Sequence, residues 1–155
     1  MRVYLAATVP MLAVLNAHHS LPVDAGFAVT DGLRVALAEH NDDLEELEYA
    51  AMTMAADASL DLVAADPDAP HRRVVVVVEA AAYVVDDRTG SVRLDHPAGP
   101  ADVVSVHVDD HDAAPAVRAA AEAMRTGSAG STRDEVDHHE LMWFAPEEIA
   151  GLLTR

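Results

Sequence analysis

The chain has 155 residues, 51% of them apolar, a length and composition that exclude a disordered chain and favour one domain with its own core. Ten basic residues, all Arg, face 27 acidic residues, so the net charge is −17 with His neutral. This charge repels the phosphates of nucleic acids and anionic membrane surfaces, and the absence of Cys excludes disulfides and thiolate metal sites. We therefore expect neither nucleic acid nor membrane as a partner. Solubility is the simplest explanation of the acid excess, with GC-rich coding or salt adaptation as alternatives.

The first half of the chain predicts short strands that alternate with helices. In order, the expected elements are a strand over 2–7, a helix over 9–17, a short strand over 27–29, a helix over 31–39 and a long helix from Asn41 or Asp42 to Asp66. Thr8 and Thr30 each precede a helix, where a hydroxyl can cap free backbone N–H groups. The apolar stretch 5–17 also has the character of a signal peptide. Pro10 within it and the single basic residue before it favour a strand and a helix, and a cytoplasmic protein.

The second half of the chain predicts most of the sheet. The expected strands cover 72–79, 83–85, 92–94, 103–109 and 140–144, a helix includes 117–124, a mobile Gly- and Ser-rich loop lies near 126–136, and a short helix covers 146–153. Five consecutive valines at 74–78 indicate a strand that is buried on both faces, since β-branched residues favour strands and no polar residue alternates with them.

The strong elements follow the order β-α-β-β-α-β, which is that of a split β-α-β unit. The sequence therefore predicts an α+β fold, a ferredoxin-like sandwich with strands near 2–7, 72–79, 103–109 and 140–144, extra N-terminal helices and a short C-terminal helix. We take residues 1–155 as a single domain. Because these strands are too apolar for a free sheet face, we also expect self-association or a protein partner, unless the early and terminal helices cover that face.

The segment 107–112 is the strongest candidate for chemistry. On a strand, His107 and Asp109 point to one face of the sheet, away from the neighbouring valines. An imidazole beside a carboxylate can bind a divalent metal, or act as a base with its orienting group. Together with His139, which enters the last strand, these residues are the catalytic candidates. The alternative is that the aspartates cap a helix and that His107 lies on a solvated face.

Four further residues are candidates for ligand binding: Glu48, Asp110, Glu140 and Trp143. Glu48 shares a face of the long helix with Glu45, although acidic residues at this position are also typical of a solvated helix start. Trp143 is either a core residue or part of an interaction patch. His139 and Glu140 point to opposite faces of a regular strand and cannot bind one ion together, so no metal site is expected. No cofactor motif is present, and no cofactor is expected.

Six short motifs are spread over residues 2 to about 153. They are Arg2-Val3-Tyr4, Phe27-Ala28-Val29-Thr30, Leu47-Glu48-Tyr49-Ala50-Ala51, Arg72-Arg73-Val74-Val75, Ser105-Val106-His107-Val108-Asp109-Asp110 and His139-Glu140-Leu141-Met142-Trp143-Phe144. As a set they resemble an uncharacterised family of small actinobacterial proteins, classed as a domain of unknown function. The resemblance implies a bacterial, cytoplasmic protein of one domain, and it assigns no activity, cofactor or partner.

Two functions are compatible with these observations. The favoured one is a non-enzymatic binding or regulatory module of a bacterial cytoplasm, because no P-loop, nucleophile elbow or zinc-protease motif is present. The alternative is a metal-dependent hydrolase that uses His and Asp residues at one end of the sheet. Convergence of those side chains on one concave point would favour the hydrolase, and scattered, solvated side chains would favour the module.

Overall fold

The computed structural model describes residues 1–38, 43–128 and 132–155. The strands in this part of the chain are β1 (Arg2–Ala7), β2 (Ala25–Phe27), β3 (Val74–Glu79), β4 (Ala82–Asp86), β5 (Ser91–Leu94), β6 (Val103–Asp109) and β7 (Leu141–Phe144). The α-helices are α1 (Val9–His18), α2 (Asp31–Ala36), α3 (Leu44–Ala65), α4 (Ala114–Arg125), α5 (Thr132–Asp137) and α6 (Ile149–Leu152). None of the helices in these three ranges is long and apolar enough to cross a membrane.

All seven strands form one sheet in the order β4-β5-β2-β1-β3-β6-β7, and every neighbouring pair is antiparallel. The α+β class is therefore confirmed. The ferredoxin-like arrangement is not confirmed. In a split β-α-β unit the two strands that the helix joins are parallel and have a third strand between them, whereas β1 and β3 are direct antiparallel neighbours. The strands β1, β3, β6 and β7 lie side by side in chain order. The order of elements along the chain leaves strand direction open, and here the chain enters β3 from the end that makes it antiparallel to β1.

One face of the sheet packs against α1 and α6. Val3 and Leu5 of β1 and alternate valines of β3 and β6 form a core with Leu12 and Leu15 of α1. Ile149 of α6 closes the same cluster. Of the helices considered for this role, α1 and α6 thus cover this face, whereas Leu33, the buried residue of α2, is not part of the cluster. Such coverage is the alternative to self-association given in the sequence analysis.

The opposite face packs against α3. Tyr4, Val75 and Val77 contact alanines of α3, whose small side chains let the helix lie close to the sheet. The buried Ser59 hydroxyl joins the layers, since it donates to the Ala7 carbonyl at 2.7 Å and accepts from the Val74 N–H at 2.9 Å. All five valines of β3 are at most 3% exposed, so the expected burial of both faces is confirmed.

The helix boundaries differ from the sequence prediction at several points. Thr30 caps α2 through a 3.2 Å bond from the Leu33 N–H, whereas the Thr8 side chain makes no capping bond. The expected start of the long helix at Asn41 or Asp42 lies outside the described residues, and α3 begins at Leu44.

In place of part of the loop expected near 126–136, Thr132–Asp137 form α5. Residues 129–131 of that loop lie outside the described ranges. Val136 is buried against α3 and α4, and Arg133 pairs with Asp61 at 3.0 Å. The segment is helical because one apolar side chain and one Arg dock it on neighbouring helices, contacts that its Gly- and Ser-rich surroundings do not reveal.

Candidate functional site

A cleft of about 660 Å³ lies between α3, the second face of the sheet and the segment that enters β7. We call it the α3 cleft. The helix contributes side chains at every third or fourth position, next to the stripe that it buries against the sheet: Glu45, Glu48, Tyr49, Met52, Thr53, Ala56 and Asp57. This spacing places them on one helical face, so one wall of the cleft follows directly from the 3.6-residue repeat of α3.

The sheet contributes Tyr4 of β1 and His107 of β6. The Tyr4 side chain is 6% exposed, and its hydroxyl makes no hydrogen bond with the described residues. Every fully enclosed side-chain polar atom among those residues does have a hydrogen-bond partner, so the Tyr4 hydroxyl is not fully enclosed. The hydroxyl therefore opens into the cleft. Burial, and secondly the negative charge of Glu48, raise the pKa of Tyr4 to about 12, so the hydroxyl keeps its proton at neutral pH.

His107 is half-buried, and its Nε2 lies 3.1 Å from the Ser105 Oγ. Burial lowers the pKa of His107 below its ordinary value of 6.5, so the imidazole is neutral at neutral pH. His107 points to the face opposite the buried Val106 and Val108, as the alternation along this strand predicts. It can accept or donate one hydrogen bond in the cleft, depending on which nitrogen carries the proton.

Asp109, one of the three catalytic candidates, does not line the α3 cleft. It is completely buried, and its carboxylate is occupied by Arg73, whose Nε, Nη2 and backbone N–H each donate to it at 2.8 Å. Arg72 Nε also donates to the Asp109 carbonyl at 3.0 Å. Both carboxylate oxygens accept hydrogen bonds from Arg73, so neither is free to bind a metal ion or a substrate.

Arg73 also builds the cleft wall. Its Nη2 donates to the His139 carbonyl at 2.8 Å, and this bond fastens the segment before β7 to β3 and β6. The buried ion pair thus holds His139 and Glu140 beside the sheet, where both residues line the cleft. Arg73 carries a structural role that the sequence did not reveal, although an Arg at the start of a fully apolar strand needs a buried counter-charge.

The structure brings together four of the seven candidate residues: Glu48, His107, His139 and Glu140 line the α3 cleft. Asp110 is exposed and caps the following turn through a 2.7 Å bond from the His111 N–H, which is the alternative stated for it. Trp143 lies opposite His107 on β7 but is not part of the cleft wall, and its side chain is 61% exposed. The core alternative for Trp143 is therefore wrong.

Carboxylates dominate the charge of the cleft, which is lined by Glu45, Glu48, Asp57, Asp137 and Glu140. Burial raises the pKa of Asp57; Arg133 lowers it, and the negative charge of Asp137 raises it again. Asp57 and Asp137 therefore act on each other as like charges from α3 and from the end of α5. Sequence reasoning missed both aspartates, and the only signal for Asp57 was its helical spacing from Glu45 and Glu48.

Across the described part of the chain, no three His, Asp or Glu side chains come close enough together to hold a metal ion. Asp109, the carboxylate proposed for a metal-dependent reaction, is bound to Arg73. The site therefore offers hydrogen-bonding groups, negative charge and aromatic surface.

The model of a family of unknown function, DUF6912, matches residues 1–153. The chain belongs to this family. The membership confirms the resemblance to a family of unknown function that the six sequence motifs indicated over nearly the same residues. No match was found among curated proteins or among solved structures.

Proposed function

We propose that this DUF6912 protein is a non-enzymatic binding module, acting in a bacterial cytoplasm, whose ligand occupies the α3 cleft. The observation that carries the proposal is the convergence of Glu48, His107, His139 and Glu140, from three separate regions of the chain, on one concave surface. A cleft of about 660 Å³ lies within the size range of small-molecule sites.

The state of the ionisable groups favours binding over hydrolysis. A metal-dependent hydrolase would need a group of ligands to hold and activate water. Of the three residues considered for that reaction, Asp109 is occupied by Arg73, and His107 and His139 are not joined by a third ligand among the described residues. The remaining groups can hold and orient a ligand without a chemical step.

Filling the cleft tests the proposal. Met52 lies on its wall, and Met52→Trp adds bulk there, whereas Val85→Trp places the same ring at a 59%-exposed position on the opposite edge of the sheet. Thermal-shift measurements with a library of cationic, neutral and anionic metabolites would be made on both variants and on the unmodified protein. We expect compounds that raise the Tm of the unmodified protein and of Val85→Trp but not of Met52→Trp, and that are recovered unchanged.

Three results would contradict the proposal. They are the absence of any stabilising compound, equal stabilisation of Met52→Trp, and consumption of a compound in a reaction that His107→Gln abolishes. Self-association stays a separate prediction. The helices cover both sheet faces around β1 and β3, so the surface that remains for it includes Trp143, which is exposed on the edge strand β7.

A further inference from the structure

The charges of the α3 cleft are incompletely balanced. Arg2 approaches Glu48 only to 3.9 Å, and Arg133 approaches Asp57 to 3.6 Å. Within the described residues, Glu45, Asp137 and Glu140 have no ion pair. Arg73, the single Arg among the described residues that line the cleft, is already neutralised by Asp109. The cleft therefore presents more negative charge than the protein itself compensates.

A second, independent observation points to a ligand in the same place. The Tyr4 hydroxyl lies on the floor of the cleft, on a side chain that is 6% exposed, and it has no hydrogen-bond partner among the described residues. The hydroxyl oxygen itself is accessible, because no unbonded side-chain polar atom among the described residues is fully enclosed, so it is free to bond to a group inside the cleft. This oxygen can accept a hydrogen bond from a donor inside the cleft, beside the carboxylate of Glu48.

The layout of the carboxylates selects the shape of the ligand. Glu45 and Asp57 are twelve residues apart on α3, which is about 18 Å at 1.5 Å per residue. Tyr49 and Met52 lie between them and offer aromatic and apolar surface. No three of the acidic or His side chains described converge on one point, as a single metal ion would require. Separated anionic groups with apolar surface between them match separated ammonium groups joined by methylene chains.

We infer that the ligand of the α3 cleft is a linear organic polycation of the alkyl polyamine class. This inference rests on the proposed function and adds the chemical class of the ligand. The ammonium groups bind Glu45, Glu48, Asp57 and the Tyr4 oxygen, and the methylene chain packs on Met52 and Tyr49. A ring face such as that of Tyr49, which is 65% exposed, also attracts a cation directly.

Isothermal titration calorimetry with spermidine tests the inference at fixed ionic strength. Glu48→Gln removes one carboxylate from the cleft, and Glu46→Gln removes the same charge from an exposed residue of the same helix that does not line it. We expect Glu48→Gln to weaken spermidine binding about tenfold, because a hydrogen bond to a charged group contributes at least that factor. Glu46→Gln should change it less than about twofold, the small effect of an exposed charge. Tyr4→Phe, which keeps the ring, should weaken binding severalfold.

Butylamine, Mg²⁺ and a capped tri-lysine peptide serve as competing ligands. Spermidine should bind more tightly than all three. If Glu46→Gln weakens spermidine binding as much as Glu48→Gln does, or if Mg²⁺ binds as tightly as spermidine, then spermidine responds only to the net charge of the protein. Either result would overturn the inference. Tighter binding of tri-lysine with the same dependence on Glu48 would replace the small polyamine by a basic peptide. If spermidine does not bind while an uncharged or anionic compound stabilises the protein in a manner that Met52→Trp blocks, the polyamine inference fails and the binding function stands.

Discussion

Replacing Asp109 with Asn is expected to destabilise the protein strongly, because the change removes one partner of a buried ion pair. The carboxylate accepts three hydrogen bonds of 2.8 Å, all from Arg73. The Arg73 side chain is only 5% exposed, so the variant would keep a positive charge in the interior without its counter-charge. Breaking such a pair from one side costs about 3–5 kcal/mol. Since small proteins unfold with about 5–15 kcal/mol, the loss is a large part of the total.

Urea unfolding followed by far-UV circular dichroism measures this loss as a change in the free energy of unfolding. Asp110→Asn is the matched control, because Asp110 is exposed and Asn caps a helical turn as well as Asp does. A loss for Asp109→Asn no larger than that of Asp110→Asn would refute the reasoning. If Asp109→Asn does not fold, the double variant Arg73→Met/Asp109→Leu should fold, since apolar replacement of both partners removes the unpaired charge.

The remaining predictions concern the site, the core and the assembly. Because burial lowers the pKa of His107, the unfolded chain binds a proton at this residue more readily than the folded protein does. The free energy of unfolding should therefore fall as the pH drops below 6.5, and it should fall less in His107→Gln. Urea titrations at pH 7 and pH 5 measure this fall, and an equal fall in both proteins would contradict the prediction. Val76→Ala, at a fully buried position, should cost about 2–3 kcal/mol and the exposed Val85→Ala less than about 0.5 kcal/mol, as measured by urea unfolding. Gly26→Ala should lower the Tm, because the new Cβ would lie 2.7 Å from the Tyr4 carbonyl oxygen; Gly151→Ala has open space, and an equal Tm for the two variants would disprove the clash. Self-association should strengthen as salt rises and screens the charge of −17, and a monomer mass in light scattering at every salt concentration would exclude it.

Local pattern was sufficient for much of the secondary structure. The bounds of β1 and β6 agree with the strands expected over 2–7 and 103–109, and the valines of β3 are buried on both faces. These features depend on side-chain periodicity and β-branching within a few residues, which can be read along the chain. The loop expected near 126–136 shows the limit, since α5 forms there through contacts with α3 and α4.

The sequence was sufficient to predict which face of a strand or helix some candidate residues lie on, but not which residues meet in the cleft. Alternation along β6 correctly placed His107 away from the buried valines, and helical spacing correctly put Glu45 and Glu48 on one face. Asp109 has the same periodicity as His107, yet it is occupied by Arg73, which lies 36 residues earlier in the chain. Tyr4 carried no signal at all, because its free hydroxyl becomes significant only where α3 covers β1 and the α3 cleft opens beside it.

Most segments that form strands or helices, and the side chains that share a face, follow from the sequence alone, because these properties arise from backbone geometry within one element. The helix α5, the strand order, the antiparallel direction of every pair, the partner of Asp109 and the meeting of Glu48 with His107 and Glu140 follow from tertiary contacts. Each of these depends on contacts between segments that are tens of residues apart. Such contacts form where the whole chain buries its apolar surface and pairs its buried charges at the lowest free energy, a balance that no single segment encodes.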